Sequence, residues 1–206
     1  MKSNTSRART LTAAGLFSAL IIVLQVFATF VKFGPVSITL ALAPIVVGGA
    51  LYGRRFGAFS GAVLGLVILF CGLLGWDGGT VLLMFEAAPI PLVILCVGKT
   101  TAAGWLAAVV YRSVERRRGH VLLGSLLAGI VCPVVNTGLF VAGMLTVWKG
   151  LLAEWAGGSE IITFVLLTLT GINFLIELGV NLLLAAGITR TVKVLSVNHH
   201  GKHKGV

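Results

Sequence analysis

The chain has 206 residues, of which 57% are hydrophobic and 11% are charged, and its mean hydropathy is +1.04. Soluble domains carry about 25% charged residues, so the composition excludes a soluble fold and describes an integral membrane protein. The net charge of +10 lies in short clusters between apolar runs instead of on one basic face, a pattern that sets membrane topology and excludes nucleic-acid binding.

A spanning helix needs about 20 apolar residues to cross a core of about 30 Å, so a chain of this length holds about six spans with short connections. The expected fold class is all-α: one six-helix membrane domain over residues 1–192 and a polar tail over 193–206. The basic start "MKSNTSRART" precedes an apolar run longer than the 7–15 residues of a signal core, without a convincing cleavage site, and reads as a retained first helix. Span 1 covers about 11–31 and turns back through "KFGPVS", where Gly34 and Pro35 break the helix. Span 2 covers about 38–52 and ends at "YGRRFG"; span 3 covers about 57–74 and stops at "GWDGG". "TVLLMFEAAPIP" reads as a loop with at most a short helix, because Glu86, Pro89 and Pro91 interrupt it. Span 4 follows over about 92–111 and span 5 over about 121–147, with a kink expected at Pro133. "WKGLLAEWAGGSE" reads as a loop before span 6, about 161–188.

The basic residues orient this array. With a cytoplasmic N-terminus, Lys2, Arg7, Arg9, Arg54, Arg55, Arg112, Arg116, Arg117, Arg118, Arg190, Lys193, Lys202 and Lys204 all fall inside. Only Lys32, Lys99 and Lys149 fall outside or within the membrane. Both termini are therefore expected in the cytoplasm. Cys71, Cys96 and Cys132 sit in apolar runs without paired spacing and read as small buried residues, with neither a disulfide framework nor a metal site. The histidines of "NHHGKHKGV" read as part of a solvated tail.

A charge at the centre of a bilayer costs about 2.5–3.5 kcal/mol on insertion scales, so every polar residue inside a span is a candidate for function. Lys99 in "CVGKTTAAG", Asn136 in "CPVVNTGLF" and Asn173 in "NFLIELGVN" share the outer half of the membrane at 1.5 Å per residue. Glu177 and Asn181 follow Asn173 at intervals of four, so all three lie on one helix face. Glu177 either floors a site or neutralises Lys99, and Asn181 reads as a stitch between helices. Above these groups the outer loops carry Trp76, Asp77, Trp148 and Trp155. Trp76 is either an aromatic lid over a ligand or an interface anchor. Small residues recur at Ala14/Ser18 and Gly15/Ala19 in span 1 and at Gly57, Gly61 and Gly65 in span 3, where another helix can approach closely.

Over about residues 8 to 192 the chain resembles the substrate-binding S-component of energy-coupling factor (ECF) vitamin transporters. The resemblance rests on "LTAAGLFSALIIVLQ", "FGPVSITLALAPIVVGGALYGRRFGAFSGAVLGL", "GKTTAAGWLAAVVYR" and "CPVVNTGLF" in that order. It implies a six-helix subunit in the plasma membrane of a prokaryote that captures a vitamin or related micronutrient from outside. It also implies a transmembrane coupling subunit and two cytoplasmic ATPases as partners; ATP is used there, and no cofactor is expected on this chain. The family's AxxxA contact motif falls on Gly15 and Ala19, with Gly in place of the first Ala, beside Ala14 and Ser18. The family's gating loop corresponds to Lys32–Ser37, including Gly34 and Pro35. The implied ligand site collects Lys99, Asn136, Asn173, Glu177, Trp76 and Asp77. The alternatives from other classes are a stand-alone transporter or channel using Lys99 and Glu177 as a charge relay, and a small intramembrane enzyme with Glu177 as acid or base. Against the enzyme, no histidine lies in any span and no nucleophile–base spacing is visible.

Overall fold

Inside a bilayer no water satisfies the backbone, so a long apolar run closes its hydrogen bonds within itself and becomes a helix. The computed structural model of the protein describes residues 2–31, 37–118, 120–184 and 187, and these are all-helical. The helices are α1 (Lys2–Thr29), α2 (Leu42–Tyr52), α3 (Arg54–Leu73), α4 (Thr80–Ala87), α5 (Pro89–Arg118), α6 (Val121–Thr146), α7 (Lys149–Ala156) and α8 (Ile161–Thr163). A π-helical stretch, Phe164–Leu169, follows α8 directly. After a turn at Thr170, α9 covers Gly171–Leu184. Gly34 and Pro35, and the tail from residue 193, lie outside the described residues.

Four helices are long and apolar enough to cross a membrane: α1 over Ala8–Thr29, α3, α5 over Pro89–Arg117, and α6. The pair Lys149–Ala156 and Ile161–Leu169, bent by 89°, brings the number of candidate spans to five if counted as one. The expectation of six spans is thus met in part. At 11 residues, α2 rises only ~16 Å, about half the hydrocarbon core. The expected last span is not one straight α-helix, because the π-helical turn and Thr170 interrupt it.

Local chemistry explains the other departures. "WKGLLAEWAGGSE" contains α7 because Leu152 and Ala156 bury one face of it, and Gly157 ends it in the left-handed conformation, φ 56°. Pro89 and Pro91 fall in the first turn of α5, where a missing N–H costs nothing. Pro133 lies inside α6, which runs on as one helix.

The tightest seam joins α3 to α5. A Cβ at Gly57, Gly61 or Gly65 would fall against the backbone carbonyl of Gly104, Thr100 or Cys96 respectively. Glycines four apart on α3 therefore face carbonyls four apart on α5, and the two backbones touch. This is the close approach expected from the small residues of span 3. Around the seam lie two apolar clusters. One gathers Ile21, Leu42, Ile45, Leu64, Ala107, Tyr111 and Cys132; the other gathers Met84, Leu92, Cys96, Met144, Trp148, Leu152 and Leu169. Cys71, Cys96 and Cys132 are free thiols, and all are buried.

Candidate functional site

Beside the second cluster is a hollow of about 80 Å³ that is partly open to its surroundings. It is lined from the C-terminal parts of α1 and α3, the first third of α5, the second half of α6, and the chain from Leu169 to Glu177. All of these lie toward the end of the bundle away from Arg54, Arg55 and the Arg112–Arg118 run. Polar residues make up more than half of the lining, beside aliphatic side chains and the rings of Phe140 and Phe174, and apolar walls with convergent polar groups are the usual make-up of a small-molecule site.

Lys99, Asn136, Asn173, Glu177 and Asp77 all line this hollow. The first four come from three helices, α5, α6 and α9, and stand out in sequence only because they are polar where apolar residues are expected. The Lys99 ammonium stands 4.8 Å from the centroid of the Phe140 ring, a cation–π contact. Glu177 Oε1 accepts a 2.8 Å hydrogen bond from the backbone N–H of Thr39. Its Oε2 is buried and has no hydrogen-bond partner. Among the described residues no ion pair joins Lys99 to Glu177, so direct neutralisation of one by the other is not what the structure contains.

Asp77 is 6% exposed and already engaged. Its Oδ1 accepts from Gly79 N at 3.0 Å and its Oδ2 from Val81 N at 2.8 Å. The carboxylate thereby ties down the free amides at the start of α4, where a negative charge is favoured. Trp76 is 43% exposed, is not part of the lining, and stacks on Phe30 with ring centroids 6.1 Å apart. Asn181 lies below the hollow. Its Nδ2 donates to the carbonyl of Glu177, one turn back on the same helix, at 2.7 Å, so this bond does not join two helices, although its backbone carbonyl lies against Gly129 of α6.

Sequence reasoning missed Gln25, Thr39, Thr137, Phe140 and Thr170, which also line the hollow. Gln25 was findable: it is a 2%-exposed amide inside an apolar run, subject to the rule that selected Asn136. Its Nε2 donates to Ile38 O at 3.5 Å, so Gln25 and Glu177 both bond to the backbone of the segment 38–39. On the flank of α1, Gly15 and Ala19 are exposed while Ala14 and Ser18 are partly buried. A Cβ on Gly15 would meet nothing within 4 Å.

A family model of the ECF transporter substrate-specific component matches residues 9–189. No curated protein and no solved structure matches the chain significantly. The family is one of transport, not of catalysis, and its members span the membrane several times. The chain therefore belongs to the family of ECF transporter substrate-specific components.

Proposed function

We propose that the chain is the high-affinity binding subunit of an ECF-type importer, and that the hollow ringed by Lys99, Asn136, Asn173 and Glu177 is where it captures a vitamin-like micronutrient. The observation that carries this is the convergence of polar side chains from α5, α6 and α9 on one cavity that also has aliphatic and phenylalanine walls. Groups that cost free energy in a bilayer are gathered there, not scattered. The charge pattern places both termini in the cytoplasm, so the cavity opens toward the outside. In that frame α2 and the interrupted last segment complete a six-pass domain. The gating role that the family resemblance assigns to Gly34 and Pro35 belongs to this reading; excluding water from the cavity strengthens its polar contacts.

Delivery inward requires energy that this chain does not supply. A transmembrane coupling subunit meets the exposed strip of Gly15 and Ala19, flanked by Ala14 and Ser18, and two cytoplasmic ATPases hydrolyse ATP. No cofactor is assigned to the chain itself. The membrane is the plasma membrane of a prokaryote.

Purification from its own cell under mild detergent tests the assembly: the ATPases should accompany the chain. A stand-alone transporter or channel would arrive without them. Lys99→Met tests the site. Losing a charge-assisted hydrogen bond costs about 1.5–3 kcal/mol, or about 10- to 100-fold in affinity. Undiminished affinity for the small molecule that co-purifies with the wild-type protein would remove Lys99 from the site.

A further inference from the structure

At the end of the bundle away from the hollow, the basic residues between α2 and α6 are of one kind. The α2–α3 turn carries Arg54 and Arg55, and the end of α5 carries Arg112, Arg116, Arg117 and Arg118, with one acid, Glu115, and no lysine among them. Lysine and arginine set membrane topology equally well, so topology does not explain the choice. A guanidinium presents a planar fork of donors that grips a phosphate at two points, whereas an ammonium acts as a point charge.

The fold brings the two groups together. Down the α3–α5 seam Gly65 meets Cys96, Gly61 meets Thr100 and Gly57 meets Gly104; one turn further along α3, Gly53 meets the side chain of Arg112. A Cβ on Gly53 would fall 2.6 Å from Arg112 Nη2 and 2.7 Å from its Cζ. The guanidinium therefore lies on the turn itself, next to the residue that precedes Arg54 and Arg55. Gly53 has φ 101°, a conformation open to glycine, which lets α2 end and α3 begin with one residue between them. Tyr52 stacks on Phe56 at 4.7 Å, and Phe17 of α1 meets the two rings edge-on at 6.3 and 5.5 Å. Packing thus fixes the turn before any ligand arrives. Arg54, Arg55 and Arg116 are exposed and Arg112 is partly buried. Among the described residues none of the four forms an ion pair.

Apolar surface begins at the same place. On α5, Ile94, Gly98, Thr101, Trp105, Arg112 and Arg116 follow at spacings of three, four or seven and so share one face; each is exposed or partly so. On α3, Arg55, Phe59, Leu66 and Phe70 do the same, and all are exposed. Each stripe is largely apolar with guanidinium at its foot. That pattern matches a molecule with a phosphate at one end and hydrocarbon at the other, and it fits neither a soluble anion nor the acidic face of a protein as well.

We propose that Arg54, Arg55, Arg112 and Arg116 bind the phosphate head group of an anionic phospholipid, whose acyl chains lie along the two stripes. In the orientation proposed above, this lipid belongs to the cytoplasmic leaflet, where basic pockets between spanning helices take anionic head groups.

The test is a thermal titration of the full chain in a zwitterionic detergent, read by tryptophan fluorescence, with phosphatidylglycerol, phosphatidylcholine or inorganic phosphate. Only phosphatidylglycerol should raise Tm, and the rise should saturate. Arg112→Gln should increase the concentration needed for half the shift about tenfold or more, as for a lost charge-assisted hydrogen bond. Arg117→Gln removes the same charge from α5 but lies off the stripe, and should change that concentration no more than about threefold. Arg112→Lys keeps the charge, and with it the topology, yet should still weaken binding because the fork is gone. If Arg112→Gln does not fold, Arg54→Gln gives the same readout from an exposed position. Equal losses in Arg112→Gln and Arg117→Gln would mean diffuse attraction to the surface and overturn the proposal, as would undiminished binding by Arg112→Lys. Equal stabilisation by inorganic phosphate would make the ligand a soluble anion and overturn it too. No preference for phosphatidylglycerol overturns it outright; loss of the co-purifying ATPases from Arg112→Gln would then give these arginines to a protein partner instead.

Discussion

Gly61→Ala is the sharpest perturbation of the α3–α5 seam. The added Cβ would stand 2.7 Å from the carbonyl carbon of Thr100 and 2.9 Å from Thr101 Cα, where ordinary contact begins at 3.4 Å. The Thr100 carbonyl oxygen stands nearer still, so relief requires the two helices to part by more than about 0.7 Å. No flexible side chain can yield instead, because the obstructing atoms are backbone. Gly57 and Gly65 make the same contact one turn away on either side, so the separation opens the whole seam. Overpacking of this kind costs about 1–3 kcal/mol, which for a chain of this size lowers Tm by about 2–12 °C. Gly98 supplies the control. It lies on α5, is exposed, and its Cβ would meet nothing within 4 Å. Gly98→Ala should therefore gain about 0.5–1 kcal/mol from reduced backbone entropy. Tryptophan fluorescence followed during heating in detergent separates the two. Equal Tm values for Gly61→Ala and Gly98→Ala would refute the backbone-contact account of the seam.

Three further substitutions address other parts of the molecule. Trp148→Phe removes the indole N–H that donates to Met84 O at 2.9 Å, a carbonyl that keeps the Ala88 N–H at 3.0 Å; it should cost about 0.5–1.5 kcal/mol, visible as a lower Tm. Asp77→Ala frees the amides of Gly79 and Val81, should cost about 0.5–2 kcal/mol as for a lost cap, and should make α4 exchange its amide hydrogens faster; an unchanged exchange rate would show that α4 does not depend on that carboxylate. Gly15→Leu adds bulk where nothing stands within 4 Å, so Tm should stay within about 2 °C, as for a neutral surface change, while co-purification of the ATPases is lost. Retained co-purification would move the partner surface elsewhere.

How much of this was legible in the sequence depended on the physics of each signal. Four long helices follow from hydropathy alone, because a bilayer offers an apolar run no other backbone solution. The brevity of α2 did not follow. Ile38, Leu40 and Ala41 are apolar and Ile38, Thr39 and Ala41 are buried, yet residues 38–41 are not helical, and the Thr39 N–H goes to a carboxyl 138 positions away. No local pattern encodes so distant a partner. The polar residues around the hollow stood out because such residues are rare in spans, and Gln25 went unnoticed although the same rule selects it. Phe140, Met84 and Ile68 look like ordinary lipid-facing or core positions in sequence. Only the packing of α3, α4 and α6 turns them toward the cavity.

The π-helical turn at Phe164–Leu169 has a consequence for register. Val165, Leu169, Asn173, Glu177 and Asn181, each four after the last, are all buried. In an uninterrupted α-helix of 3.6 residues per turn, a four-residue step overshoots by about 40°, so four steps would carry Asn181 about 160° from Val165. A π turn holds more residues per revolution and undershoots, cancelling part of that drift. The widened turn thus keeps an apolar upper half and a polar lower half on one inward line. Removing a single residue from it would rotate the two halves by about 100° relative to each other. Val165 and Leu169 would then leave the apolar cluster whenever Asn173 and Glu177 kept their place, so chain length between residues 164 and 170 is constrained more tightly than residue identity there.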